Sequence, residues 1–472
     1  MFTVDYIKNK NDLVTAIGPQ SDFVTKSLYI SSLKRRASFY SFGEMDEQKL
    51  DRCLHYMNSL SFSFFENRDL KEEQSEPMIC LAEATTSSVE EAVSFLFQGQ
   101  CIMLLEGIPF AYAVHLKKEM QRHLEESTTE RVIRGPHASF IEDVDQNIAL
   151  IRQFADDQNL IAAKHLVVDA KKEKKIFYMF NKDKTDPIVI DEVKERLSQI
   201  KQANIEDSGK IESFLDPTPL YSPFIQVQSS DRVDRILAGF EEGRVAIFVD
   251  GSPFAFMVPT TFEQQMQAPD DYYQRWMISS IIRLLRYVAL FITLFAAPIY
   301  IALVSFHQGL IPNELSVTIM NSRLNVPFPP VGEVILLTLF VDLLREASIR
   351  LPNQLGQTIG LVGGVVIGQA VVEANLVSSI MVIIIAVTAI ASFAVPLYSL
   401  SMSFRFLSFI AIAFASIVGL FGVIVFFILI TIHLASLRNF GVHYFSFTNS
   451  LKYHGYSDFL IRLPTLMKDK KG

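Results

Sequence analysis

The spacing of apolar residues changes character near residue 287. Before it, short apolar runs alternate with charged turns and with stretches at helical spacing, which predicts strands and amphipathic helices around a soluble core. After it come long apolar stretches, Tyr287 to Phe306, Leu376 to Leu400 and Phe404 to Leu434, whose lengths predict membrane spans. The expected fold is thus α+β joined to an α-helical membrane part: a duplicated cytoplasmic α/β domain followed by a multi-span helical domain. The expected boundaries are an α/β subdomain over 1–125, a helix-and-turn connector over 126–155 and a second α/β subdomain over 156–265. A juxtamembrane amphipathic segment over 266–286, a membrane domain over 287–437 and a cytoplasmic tail over 438–472 complete the chain.

The duplication is legible as a repeat at an offset of 144 residues, between Val89 to Tyr112 and Val233 to Phe256. Gly99 and Gly107 fall on Gly243 and Gly251, and Pro109-Phe110-Ala111 on Pro253-Phe254-Ala255. Each copy predicts a helix opening after Ser87-Ser88 or Ser229-Ser230, good N-cap residues. Two strands around Glu106-Gly107 or Asp250-Gly251 follow, where Gly supplies the positive φ of a tight hairpin. A preceding strand is expected at Met78 to Ala84 and at Phe224 to Gln228. Residues 27–42 and 165–180 extend the match, each reading strand, basic turn, strand. The stretch 126–153 is unlike either copy; Arg134-Gly135-Pro136 forces a turn in it, and its mixed charges read as an interaction or hinge element.

Residues 327–375 are apolar enough for a bilayer yet carry Glu333, Asp342, Arg345, Glu346, Arg350 and Glu373. In Val331 to Ile349 the eleven Leu, Ile, Val and Phe residues supply roughly −3 to −7 kcal/mol toward insertion, while each of four charges costs about 2.5 to 3.5. The charges win, so a re-entrant or interfacial helix is expected. Asp342, Arg345 and Glu346 share one helical face and can pair, as can Glu346 with Arg350; the cluster reads either as structural salt bridging or as an ion path. Glu333 falls in the first turn after Pro329-Pro330, where the helix dipole favours an anion. Beyond Leu351-Pro352-Asn353, Gly356, Gly360, Gly364 and Gly368 form a stripe for close helix packing. The opposite face carries Val362, Val366, Gln369 and Glu373, candidates for a pore lining, although Glu373 also suits a plain interfacial site.

Half of the 472 residues are hydrophobic and the mean hydropathy is +0.26, too apolar for a soluble enzyme and too charged for a bare membrane bundle. Tyr272, Tyr273 and Trp276 with Arg275, Arg283 and Arg286 mark an inner membrane surface. The N-terminal sequence lacks a secretory core, so the N-terminal domain is expected in the cytoplasm. A basic tail, Arg438 to Lys471, is expected there too, which needs an even number of crossings. Four crossings plus the charged hairpin fit, with five crossings as the alternative. Three cysteines, Cys53, Cys80 and Cys101, read as reduced thiols. No metal spacing, cofactor motif, catalytic constellation or long basic run is present, so no cofactor, catalysis or nucleic-acid partner is expected.

Several spaced motifs resemble the A subunits of the GerA-type spore germination receptors, a family that includes the paralogue SpoVAF. They are Arg134-Gly135-Pro136, Phe140, Glu142, Asn147 and Leu150-Ile151-Arg152, then Gly251-Ser252-Pro253 and Asp271-Tyr272-Tyr273. Leu343-Leu344-Arg345-Glu346-Ala347, Arg350-Leu351-Pro352, Gly356-Gln357 and Ile367-Gly368-Gln369-Ala370 complete the order, with Asp342, Ser348 and His137-Ala138-Ser139 departing from it. The resemblance implies an oligomeric nutrient receptor in the inner spore membrane, in which the A subunit forms a nutrient-gated cation channel. The partners it implies are further copies of the chain, an integral-membrane B subunit and a lipoprotein C subunit. A non-conducting scaffold, a SpoVAF-type auxiliary channel and a secondary transporter are the competing readings.

Overall fold

The computed structural model describes residues 1–59, 65, 84–116, 127, 130, 132, 134–155, 157–168, 173–200, 208–216, 222–350, 364, 368–445 and 462. The chain divides into two compact units, residues 1–217 with 227–259, and residues 218–226 with 260–472.

The first unit holds two antiparallel five-stranded sheets. Sheet one is built from α1 (Tyr6–Ile17), β1 (Phe23–Ile30), β2 (Arg35–Phe42), α2 (Glu47–Ser59), β3 (Ala84–Thr86), α3 (Val89–Phe97), β4 (Cys101–Leu105) and β5 (Ala111–Val114). Its strands run β1-β2-β4-β5-β3. Strand alternation decides which helix each residue meets. Tyr40, Phe42, Ile102 and Leu104 pack toward Leu13 of α1 and Leu96 of α3. Phe39, Cys101, Met103 and Leu105 face the other way, onto Leu50, Cys53 and Met57 of α2. Each of these large side chains contributes about 1.5–3 kcal/mol by leaving water.

Sheet two repeats the order. It comprises α4 (Val144–Ala155), β6 (Leu160–Val168), β7 (Glu173–Asn181), α5 (Pro187–Gln199), α6 (Ser208–Leu215), β8 (Gln228–Ser230), α7 (Val233–Glu241), β9 (Val245–Val249) and β10 (Ala255–Val258). Its strands run β6-β7-β9-β10-β8. Ile148 and Ile151 of α4 and Ile236 of α7 cover Met179, Ala246, Phe248 and Met257.

The stretch expected to be unlike either copy is corrected here, because α4 stands in sheet two where α1 stands in sheet one. Asp5 accepts the amides of Ile7 and Lys8, and Asp143 accepts those of Asp145 and Gln146. Four residues on, Asn9 accepts from the Thr3 amide at 2.7 Å and donates to its carbonyl. Asn147 does the same with Ile141, at 2.9 and 2.6 Å. The Phe2 amide donates to the Ser87 carbonyl and the Phe140 amide to that of Asp231, both at 2.8 Å.

Other local expectations shift. Ser88 makes no side-chain cap and α7 is capped by Arg232 rather than a serine; the hydroxyls that act are those of Thr86 and Ser230, which accept from the Ser88 and Arg232 amides. The strand expected over Phe224 to Gln228 begins only at Gln228, since Phe224 belongs to the core of the second unit. Gly107 and Gly251 do adopt positive φ, at 90° and 83°.

The second unit is helical: α8 (Phe262–Gln265), α9 (Asp270–Tyr273), α10 (Trp276–Ser305), α11 (Asn313–Arg323), α12 (Pro330–Arg350), α13 (Ser379–Phe393), α14 (Tyr398–Val418) and α15 (Leu420–Ser436). Among the described residues, α10 and α14 are long and apolar enough to cross a membrane, while α13 and α15 are apolar but shorter. From Trp276 onward the expected juxtamembrane segment and first span form one continuous helix, α10, while residues 266–275 lie outside it. The stretch Phe404 to Leu434, expected as one span, is two helices broken at Gly419, whose φ is +68°. Close packing of the two is permitted by Gly422, where a Cβ would overlap the Phe414 carbonyl.

Candidate functional site

α12 is a helix, as its pattern predicts, and its Glu333, Asp342 and Arg345 are engaged by residues of other helices. Asp342 pairs with Arg405 of α14. One turn on, Arg345 donates to the Ser392 hydroxyl of α13 at 2.8 Å and lays its guanidinium 4.3 Å from the centre of the Phe393 ring. The expected pairing of Asp342 with Arg345 along α12 is therefore replaced by contacts across α13 and α14. Glu346 is exposed and makes other contacts. Thr293, Thr388, Ser392 and Ser408 join Asp342, Arg345 and Arg405 around a cavity of about 40 Å³ whose other walls are mostly apolar, roomy enough for an ordered water at its polar side. Two guanidinium groups face one carboxylate there, so the cavity carries a net positive charge.

At the start of α12, Glu333 is fully buried. It pairs with Arg323 of α11 at 3.2 Å and accepts the Ser378 amide at 2.7 Å, where Ser378 caps α13. The helix dipole expected to favour Glu333 is thus joined by an ion pair and an amide.

Gln369 and Glu373 lie on one exposed helical face and hydrogen-bond to each other at 2.8 Å. A Cβ at Gly364 or Gly368 would meet nothing within 4 Å, so among the described residues neither glycine brings two helices together. Val362, Val366, Gly356 and Gly360, and the side chain of Arg350, lie outside the described residues.

The arginines before the first span do not all reach a surface. Arg286 grips Asp271 with two bonds of 2.7 and 2.8 Å, and Arg283 lies 3.4 Å from the same carboxylate; both are buried. Tyr272 and Trp276 remain exposed.

In the first unit, the connector residues hold the sheets together. Arg152 of α4 is buried, pairs with Asp22 at 3.1 Å, donates to Gln20 and the Leu160 carbonyl, and lies over Phe42 and Phe97 at 4.8 and 5.4 Å. Asn147 fixes the turn before α4. The Arg134-Gly135-Pro136 turn docks through the Pro136 carbonyl, which accepts from buried Arg232 at 3.0 Å; the Arg134 side chain points to solvent. Glu142 offers its carbonyl to the Gly251 amide at 2.8 Å. Lys175 of β7 bonds Asp145, and that bond raises its pKa above the usual lysine value. Burial pushes the Cys101 thiol up to about 12, so it stays protonated and unreactive.

Arg323, Ser378, Ser392 and Arg405 escaped the pattern reading. Ser392 and Arg405 are polar residues inside apolar runs, while Arg323 and Ser378 sit among other polar residues; the signal that would have found them is the need of Glu333, Asp342 and Arg345 for partners.

Similar proteins fit this composition. Spore germination protein A1 of Bacillus subtilis strain 168 is 47% identical over 384 residues, covering 81% of this chain and 79% of that protein. YfkQ of the same organism, described as an uncharacterized membrane protein, is 35% identical over 381 residues, covering 81% of this chain and 74% of that one. The solved N-terminal domain of the A subunit of the Bacillus megaterium spore germinant receptor GerK3 is similar at 18% identity and a TM-score of 0.38, over 55% of this chain and 97% of that domain. The family model of the Bacillus/Clostridium GerA spore germination proteins matches residues 11–472, and the chain belongs to that family.

Proposed function

We propose that this chain is the A-type membrane subunit of a nutrient germinant receptor and that its copies assemble into a ligand-gated cation channel of the inner spore membrane. Its partners in that reading are an integral-membrane B subunit and a lipoprotein C subunit. The two sheets are tandem copies of one cytoplasmic subdomain, and the helical unit crosses the bilayer several times.

The observation that supports channel assembly is the face formed by Gln369 and Glu373. It is polar and exposed in the single chain, while Gly364 and Gly368 on the same segment have open space beside them. A carboxylate in a membrane domain faces protein or water, and a glycine face admits a close helix; a second copy supplies both. The test is ion flux through vesicles holding the purified chain with its B and C partners. Glu373→Gln should change cation selectivity, and Val362→Ala or Val366→Ala should leak without nutrient. Unchanged selectivity and gating in all three variants would remove this face from the conduction path.

A non-conducting scaffold is favoured by a different observation, the engagement of Asp342 and Arg345 inside the helix packing. On that reading Asp342→Asn alters assembly and leaves selectivity alone.

A further inference from the structure

The outer edges of the two sheets are treated differently. β6 is the outer strand of sheet two, and the segment before β1 closes it. The Ser21 amide donates to the Ala162 carbonyl at 2.9 Å, the Ala162 amide to Gln20 Oε1 at 2.9 Å, and Gln20 Nε2 to the Leu160 carbonyl at 3.1 Å. Arg152 seals this junction on Asp22. β1 is the outer strand of sheet one. Its eight residues pair with β2 on one side, and among the described residues no backbone bond from another segment reaches the other side. An open strand edge of that length is a template for pairing with another chain.

The register identifies the counterparts. The Gly43 amide donates to the Asp22 carbonyl as the Lys182 amide does to that of Asn159, so Asn159 matches Asp22. Three residues on, Thr25 matches Ala162, and they oppose Tyr40 and Met179. Counted from Asn9 and Asn147, Val14 matches Arg152. The ion pair that seals the junction inside the chain, Arg152 with Asp22, therefore has Val14 and Asn159 as its counterparts. Both charges are absent together, so a junction rebuilt at these positions buries no unpaired charge. The positions are also free. Val4, Ile7 and Val14 of α1 are 65%, 69% and 42% exposed, and Gln158 and Asn159 are exposed in the α4–β6 turn.

We infer that a second copy of this chain closes the β1 edge. The Asp157 to Asn159 turn of one copy lies along β1 at Thr25, against the Val4, Ile7 and Val14 face of the next copy's α1. The contact is head-to-tail and closes into a ring when the rotation per copy divides the circle. It rests on the homo-oligomer reading above and names the soluble contact of that oligomer.

The experiment restores the ion pair between copies. Full-length chains in nanodiscs are compared by native mass spectrometry and light scattering, with protease resistance confirming the fold. Val14→Arg alone should weaken association by at least about tenfold, because the new guanidinium has no partner in the interface. Mixing Val14→Arg chains with Asn159→Asp chains should recover mixed oligomers, through an Arg–Asp contact like that of Arg152 with Asp22. Thr25→Pro, which removes an outward amide at an edge that tolerates proline, should also lower the oligomer fraction. Oligomers unaffected by Val14→Arg and Thr25→Pro would overturn this contact and leave the oligomer standing. A wild-type chain that stays monomeric would overturn both.

Discussion

Single side chains fix the backbone at points that composition does not reveal. Asn9 and Asn147 each satisfy the partly buried amide and carbonyl of one residue, Thr3 or Ile141. Asn147→Ala should therefore cost about 1–3 kcal/mol through unsatisfied backbone groups, read as faster hydrogen exchange at residues 140–151. Asp271 is shared by two buried guanidinium groups. Asp271→Ala removes the carboxylate that both contact and should lower stability by about 3–5 kcal/mol, measured as a drop in the detergent-solubilised Tm. Glu212 of α6 works in the opposite sense. Desolvation, with Asp216 adding to it, raises its pKa above the usual carboxylate value. A raised acid favours the folded state below the unfolded pKa and penalises it as pH rises through the folded one. Glu212→Gln should thus stabilise the first unit at pH 7 and lose that advantage below about pH 4.5, as urea melts at the two pH values would show.

At the scale of elements, the two sheets show what pattern can and cannot carry. The β4 and β9 hairpins were legible because Gly107 and Gly251 need positive φ and leave a sequence mark. α4 was legible as a helix but not as the counterpart of α1, because the identical residues at that offset are few, Phe2, Asp5 and Asn9 against Phe140, Asp143 and Asn147. The hairpin of α14 and α15 was hidden for another reason: hydropathy averages across Gly419, and only the backbone there turns. Gly419→Ala places a side chain at φ +68° and within 2.9 Å of Phe306 and His307. It should cost about 1–3 kcal/mol and expose the α14–α15 turn to protease. Gly422→Leu should separate the same helices more severely, since its Cβ has no room at the Phe414 carbonyl. Of the glycines whose four-residue spacing stood out, Gly364 and Gly368 pack against none of the described residues; Gly422, which does pack, carries no such spacing.

At the scale of the whole molecule, the helical unit offsets the insertion cost of α12 by pairing Glu333, Asp342 and Arg345 with residues of neighbouring helices, while Glu346 stays exposed. Asp342 and Arg405 are more than sixty residues apart in sequence and meet beside a small cavity. A half-buried ion pair adds little over an apolar pair of equal volume, yet removing one partner strands the other. Asp342→Asn and Arg405→Gln should each reduce the folded membrane fraction and slow nutrient-triggered germination. The double variant should recover much of both, because no lone charge remains, and the coupling is read from the four-member cycle. Arg345 supplies the internal control. It is held by Ser392 and Phe393, so Arg345→Gln should act independently of the Asp342 and Arg405 pair. Additive losses along the cycle would mean that the pair does not hold α12 against α14. Recovery of folding without recovery of germination would separate a structural clasp from one that must open for the receptor to respond.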